Sequence, residues 1–187
     1  MNKIKCFKVT LDKTEQDIAE SLAKRRYNAA RKAGVTNAKI GPQSNHLTDL
    51  EGIGSEFAFC KLLNLFPDLT VGARKGGHDC MMFSHKVDVK ATKYKTGRLL
   101  ARTSKAMEDS DLYALMIGEF PTYTFAGWAW NHELLKEENI IDLGHGEGFS
   151  LSQDQLNSSA NLVNLIKEFV PNLDYGTASC MIDKNHA

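Results

Sequence analysis

Asp88 and Lys90 stand two residues apart in KVDVKATKY, where Val87, Val89 and Ala91 alternate with Asp88, Lys90 and Thr92. A period of two belongs to a strand, whose side chains leave on alternate faces, so the acid and the amine share one face. Asp79 precedes them in GGHDC, and Glu56 lies further upstream in GIGSEFAFCKLL. Carboxylates are hard oxygen ligands and an ammonium is a fixed positive charge, a set suited to a divalent cation and an anionic group. On a solvent-facing strand the same residues make an ordinary surface ion pair. What separates the two readings is how the rest of the chain positions them.

Apolar residues at Ile18, Leu22, Ala23, Tyr27, Ala29 and Ala30 recur with helical spacing over 11–33, with Gly34 as the stop. The polar side of that helix carries Lys24, Arg25, Arg26, Arg31 and Lys32. A turn-rich loop follows. A second helix is expected from Thr48 to just before Pro67, opened by a capping box in which Thr48 caps and Glu51 reaches back. Glu56 has no such capping duty and sits inside the helix beside Ile53, Phe57, Phe59 and Cys60. Strands are expected over 79–83 and 86–94, joined by a tight turn at Ser84-His85. With a two-residue loop there, Asp79 faces Lys90 and lies diagonal to Asp88, all on one side. A one-residue slip would undo this. Further strands are expected over 97–101, 112–118 and 123–130, and short helices over 132–138 and 161–169. The pattern is α/β (α+β), a central mixed or antiparallel β-sheet flanked by helices, in one domain spanning 1–187: a basic helix and loop (1–45), a motif-bearing core (46–130), and a helical, acidic part (131–187).

With 187 residues, 42% hydrophobic and 25% charged, the chain has the makings of a globular domain with a real core. It contains no apolar run of the roughly 20 residues a membrane span needs, and MNKIKCFKVT does not resemble a signal peptide, so a cytoplasmic protein with no membrane partner is expected. Cys6, Cys60, Cys80 and Cys180 lie far apart and suit buried thiols in a reducing compartment. Net charge is zero but segregated. Residues 71–105 carry 9 Lys+Arg against 2 Asp+Glu, residues 1–70 carry 11 against 8, and residues 106–187 carry 3 against 13. The basic segment surrounds Asp79 and Asp88, which suits a polyanion-binding face on a protein kept soluble by its acidic remainder.

Other groupings carry less. His78, Cys80 and His85 lack a fourth zinc ligand at usual spacing. Gly52-x-Gly54 and the GHGEG run at 144–148 are too bare for phosphate loops and read as turns or helix starts. Trp128 and Trp130 in GWAW are expected on opposite faces of their strand, one in the core and the other against a helix or a base.

In the order helix acid (Glu56), strand-leading acid (Asp79), acid-x-Lys (Asp88, Lys90), the sequence resembles the PD-(D/E)xK nuclease superfamily, with His78 where the motif has proline. The resemblance covers roughly 50–130 and implies a restriction-endonuclease-like core in a single nuclease-like domain. It implies a metal-dependent nuclease hydrolysing phosphodiester bonds in DNA, as an endonuclease, with Mg²⁺ as cofactor and Mn²⁺ able to substitute. The implied ligands are Asp79, Asp88, Glu56 directly or through water, and the Val89 carbonyl. Lys90 is assigned to positioning the attacking water and stabilising the phosphate. Arg74, Lys75, Lys93 and Lys95, with Arg25 and Arg26, are expected to hold phosphates of the DNA, and a homodimer is implied as the means of cutting two strands. The alternative is a non-catalytic nucleic-acid-binding or assembly protein that retains the nuclease fold.

Overall fold

The computed structural model describes residues 7–34, 45–72, 77–142 and 146–169. Along the chain run β1 (Phe7–Thr10), α1 (Lys13–Lys32), α2 (Asn45–Leu63), β2 (Cys80–Met82), β3 (His85–Thr92), β4 (Leu99–Arg102), β5 (Leu112–Glu119), β6 (Thr122–Trp130), α3 (Asn131–Leu134), β7 (Ile140–Asp142), β8 (Glu147–Leu151) and α4 (Ser159–Phe169).

A capping box opens α1: Asp12 Oδ1 accepts from the Glu15 amide at 3.0 Å, and Glu15 Oε2 accepts from the Asp12 amide at 2.7 Å. The buried stripe is Ala19, Leu22 and Ala23, while Ile18 faces solvent. Small residues at the contact let α1 lie close on α2. The second helix starts at Asn45, earlier than expected, so Thr48 lies inside it and the Thr48–Glu51 box is not its start. Glu51 works elsewhere. Its carboxylate accepts from the Phe120 amide at 3.0 Å and the Tyr123 hydroxyl at 2.9 Å, tying α2 to the β5–β6 hairpin. Gly54 permits that approach, since a Cβ there would stand 2.5 Å from the Tyr123 hydroxyl. The helix ends at Asn64, whose φ of 53° is left-handed, with the Leu65 amide donating back to the Cys60 carbonyl at 2.8 Å.

Five strands form a mixed sheet in the order β1-β6-β5-β3-β2, in which β3 and β5 are parallel and the other pairs antiparallel. The parallel link is made by a crossover that detours through β4 in a second sheet, ordered β4-β8-β7. One core lies between the five-stranded sheet and α1, α2 and α4; the other lies on the opposite face, against β4, β8 and α3. The mixed sheet and its helices match the expected class, but the long helices all cover one face and a small sheet covers the other.

The β2–β3 register differs from expectation. Met82 pairs with His85 and Cys80 with Val87, so the turn is Phe83-Ser84, with Phe83 left-handed at φ 55°. Continuing this register sets Asp79 across from Asp88, not Lys90. The two-residue difference in pairing preserves the faces, which a one-residue slip would not. Both tryptophans lie on one side of β6, their rings 5.1 Å apart and edge to face, because residues two apart on a strand share a face. Of the helices expected near the C-terminus, 132–138 resolves into α3 and a single 3₁₀ turn at Glu137–Asn139.

Candidate active site

Val87 and Val89 point into the core under α2, so Asp88 and Lys90, alternating with them, point to the other face. There they lie level with Tyr113 and Leu115 of β5, both in the second core. Asp88 is thus a buried acid, its side chain 3% exposed. Two lysines meet it. Lys90 Nζ stands 2.5 Å from Oδ1, and Lys105 Nζ stands 2.9 Å from Oδ2. Among the described residues Oδ1 nonetheless has no partner in hydrogen-bonding geometry. The Lys90 contact at Oδ1 is therefore an ion pair that does not meet hydrogen-bond geometry.

Asp79 comes to Asp88 through the backbone. Its amide donates to the Val87 carbonyl at 2.7 Å, and its Oδ2 accepts from the Val89 amide at 2.8 Å. The side chain therefore takes over where the β2 ladder stops, so that the Asp79 amide holds Val87 and its carboxylate holds Val89, the two residues that flank Asp88. In a strand the amide and carbonyl of one residue point to the same side, so the Val89 carbonyl faces the rim where Asp79 lies.

Lys105, which sequence reasoning did not single out, arrives on the connection between β4 and β5. It also donates to the Gly77 carbonyl at 3.2 Å, a carbonyl that Ser110 Oγ meets at 3.4 Å. The connection is fastened to β3: the Lys86 amide donates to Asp111 Oδ2 at 2.8 Å, Lys86 Nζ donates to the Glu108 carbonyl at 3.0 Å, and the Asp111 amide donates to the Lys86 carbonyl at 2.9 Å. The Tyr113 hydroxyl, level with Asp88 on the neighbouring strand, is buried; burial pushes its titration upward and the Asp88 charge adds to the effect, while the nearby Ser110 hydroxyl works against them.

Glu56 belongs to the other side of the sheet. On α2 it is 11% exposed and accepts from Arg26 Nη1 at 3.1 Å. Arg26 further donates to the Asp68 carbonyl at 2.6 Å and the Thr70 carbonyl at 3.1 Å. Arg26, expected to hold phosphate, is thus committed to a contact that joins α1, α2 and the segment after α2. Glu56 and Asp79 still meet electrostatically at Cys80. That thiol is pushed strongly upward, first by its contact with the Cys60 thiol, then by burial, then by Asp79 and Glu56. Asp79 stands at the end of β2, bonded to the backbone of Val87 and Val89 on either side of Asp88. Among the described residues no three His, Cys, Asp or Glu side chains form a group able to hold a metal ion, so His78, Cys80 and His85 make no zinc site either. His85 packs edge-on against Trp130, ring centroids 5.4 Å apart.

Of the remaining basic residues, Arg25 is exposed on α1, and Lys93 and Lys95 are exposed just after β3. Arg74 and Lys75 lie outside the described residues, immediately before the Gly77 carbonyl that Lys105 holds. No described helix is long and apolar enough to cross a membrane. Comparison of the chain with protein-family models, with curated proteins and with solved structures finds no match.

Proposed function

We propose that the protein is a Mg²⁺-dependent deoxyribonuclease on a restriction-endonuclease-like core, acting as an endonuclease. The observation that supports the reading is the Asp79 carboxylate docked on the amide between Asp88 and Lys90, which gathers two acids, a rim-facing carbonyl and a lysine around one turn of backbone. The donor set suits a hard cation: carboxylates of Asp79 and Asp88 and the Val89 carbonyl, with an Asp88 oxygen already buried and without a hydrogen bond. Glu56, held by Arg26, stays outside that set. A bound Mg²⁺ supplies charge neutralisation at the phosphate and a water activated at neutral pH. Lys90, one-third exposed, holds a phosphate oxygen and orients the attacking water, while Lys93, Lys95, Arg25, Arg74 and Lys75 bind the flanking backbone.

The alternative reading, a non-catalytic nucleic-acid-binding protein, draws on a specific feature of the same geometry: Asp88 already has two ammonium partners and Glu56 has a guanidinium. Incubation with plasmid and oligonucleotide DNA, with EDTA, Mg²⁺ or Mn²⁺, separates the two. Metal-dependent cleavage that is lost in Asp88→Asn supports the nuclease. Salt-sensitive binding without cleavage under any metal condition supports the alternative.

A further inference from the structure

Lys105 makes contacts that a surface lysine does not make. Its ammonium is bonded to Asp88 Oδ2 and the Gly77 carbonyl at once, and its side chain is only 19% exposed. The connection that carries it is pinned to β3 at Lys86, so the ammonium is delivered to a fixed place. Asp88 is also a ligand of the proposed metal, and its carboxylate is met 2.9 Å away at Oδ2 by the Lys105 ammonium. A fixed positive charge at that distance repels a dication approaching the same carboxylate. We propose that Lys105 is a positioning residue that occupies the Asp88 carboxylate in the metal-free protein and competes with the metal for it. A metal bound at Asp88 would displace the Lys105 ammonium from Oδ2 and leave it on the Gly77 carbonyl. The inference rests on the nuclease reading, since it needs a metal at Asp88.

Its signature is in binding, apart from turnover. An apparent dissociation constant is raised by the fraction of molecules whose site is blocked, so removing the competitor tightens metal binding. Mn²⁺ titration by calorimetry of the parent, Lys105→Gln, Lys105→Ala and Asp88→Asn reads this directly. Lys105→Gln keeps much of the stem and a donor for the Gly77 carbonyl, which guards against loss of the fold. The expected result is Mn²⁺ binding about tenfold tighter in Lys105→Gln than in the parent, as for a site blocked in roughly nine molecules of ten, with binding lost in Asp88→Asn. Unchanged or weaker Mn²⁺ binding in both folded Lys105 variants, against a parent whose binding still depends on Asp88, overturns the role of Lys105 and leaves the nuclease reading standing. Parent and Asp88→Asn binding Mn²⁺ equally overturns the metal site itself, and the competition with it.

Discussion

Two buried charge clusters lie on opposite sides of one sheet, and their construction differs. Around Arg26, a planar guanidinium reaches Glu56, the Asp68 carbonyl and the Thr70 carbonyl. Around Asp88, two lysines supply point charges to one carboxylate, and one oxygen is left without an aimed donor. Arginine's fork fixes direction as well as charge, whereas a lysine can swing away without breaking a matched set of bonds. The first cluster is closed and holds helices together. The second sets two positive charges against one carboxylate and leaves one of its oxygens without a hydrogen bond among the described residues.

The largest effect expected from breaking this contrast is on the closed side. Arg26→Ala removes three hydrogen bonds and takes the guanidinium away from the buried Glu56 carboxylate, a loss of about 3–5 kcal/mol for a broken buried pair. Urea unfolding measures it. Arg26→Lys should recover only part, since one ammonium cannot reach three separated acceptors. A loss under about 1 kcal/mol would mean that Glu56 rehydrates freely and the cluster is not closed at all.

On the open side, Asp88→Asn should lower metal-dependent cleavage by at least about a hundredfold, the scale on which metal sites fail when a ligand or its supporting shell is disturbed. Its stability cost in EDTA should be smaller than that of Arg26→Ala, about 1–3 kcal/mol, because Lys105 is left largely buried beside a neutral amide. Mg²⁺ should raise the parent's melting midpoint and leave the mutant's unchanged, since only a folded-state ligand site stabilises by mass action. Equal metal responses in the two proteins would make the Asp88 cluster a structural ion pair like the other.

The contrast also explains what could be read along the chain. The alternation through Val87 and Val89 and the helical spacing of α1 are local patterns, and both elements formed, as His85–Thr92 and Lys13–Lys32, although Ile18 and Ala91 face solvent. The hairpin register depended on the turn: Phe83 takes a left-handed conformation usually left to glycine or asparagine, so nothing in its side chain announced it. The second sheet was missed because β7 and β8 are short and the sequence between them, LGHG at 143–146, reads as loop. Arg26 looked like one of several basic residues on a polar helix face, and only the packing of α1 on α2 turned it inward. Lys105 carried no local signal either. It reaches Asp88 through a connection that runs by way of the other sheet, a relation set by topology and not by spacing.

The smallest effect expected on stability sharpens the contrast inside the open cluster itself. Lys90 and Lys105 touch the same carboxylate, but Lys90 is 33% exposed and shares the strand with Asp88, while Lys105 is 19% exposed and also bonds the Gly77 carbonyl. A solvated ammonium without an aimed hydrogen bond contributes little, so Lys90→Gln should cost under about 1 kcal/mol in urea unfolding. Lys105→Gln should cost more, because burial raises the worth of its contact with Asp88. Activity should split them differently. If Lys90 holds the phosphate and orients the water, Lys90→Gln should cut cleavage by about a hundredfold at a nearly unchanged folding free energy, as when one fixed transition-state donor is removed. Should Lys90→Gln instead destabilise the protein as much as Lys105→Gln and spare cleavage, both lysines would be structural counter-charges, and the open cluster would be only a looser version of the closed one.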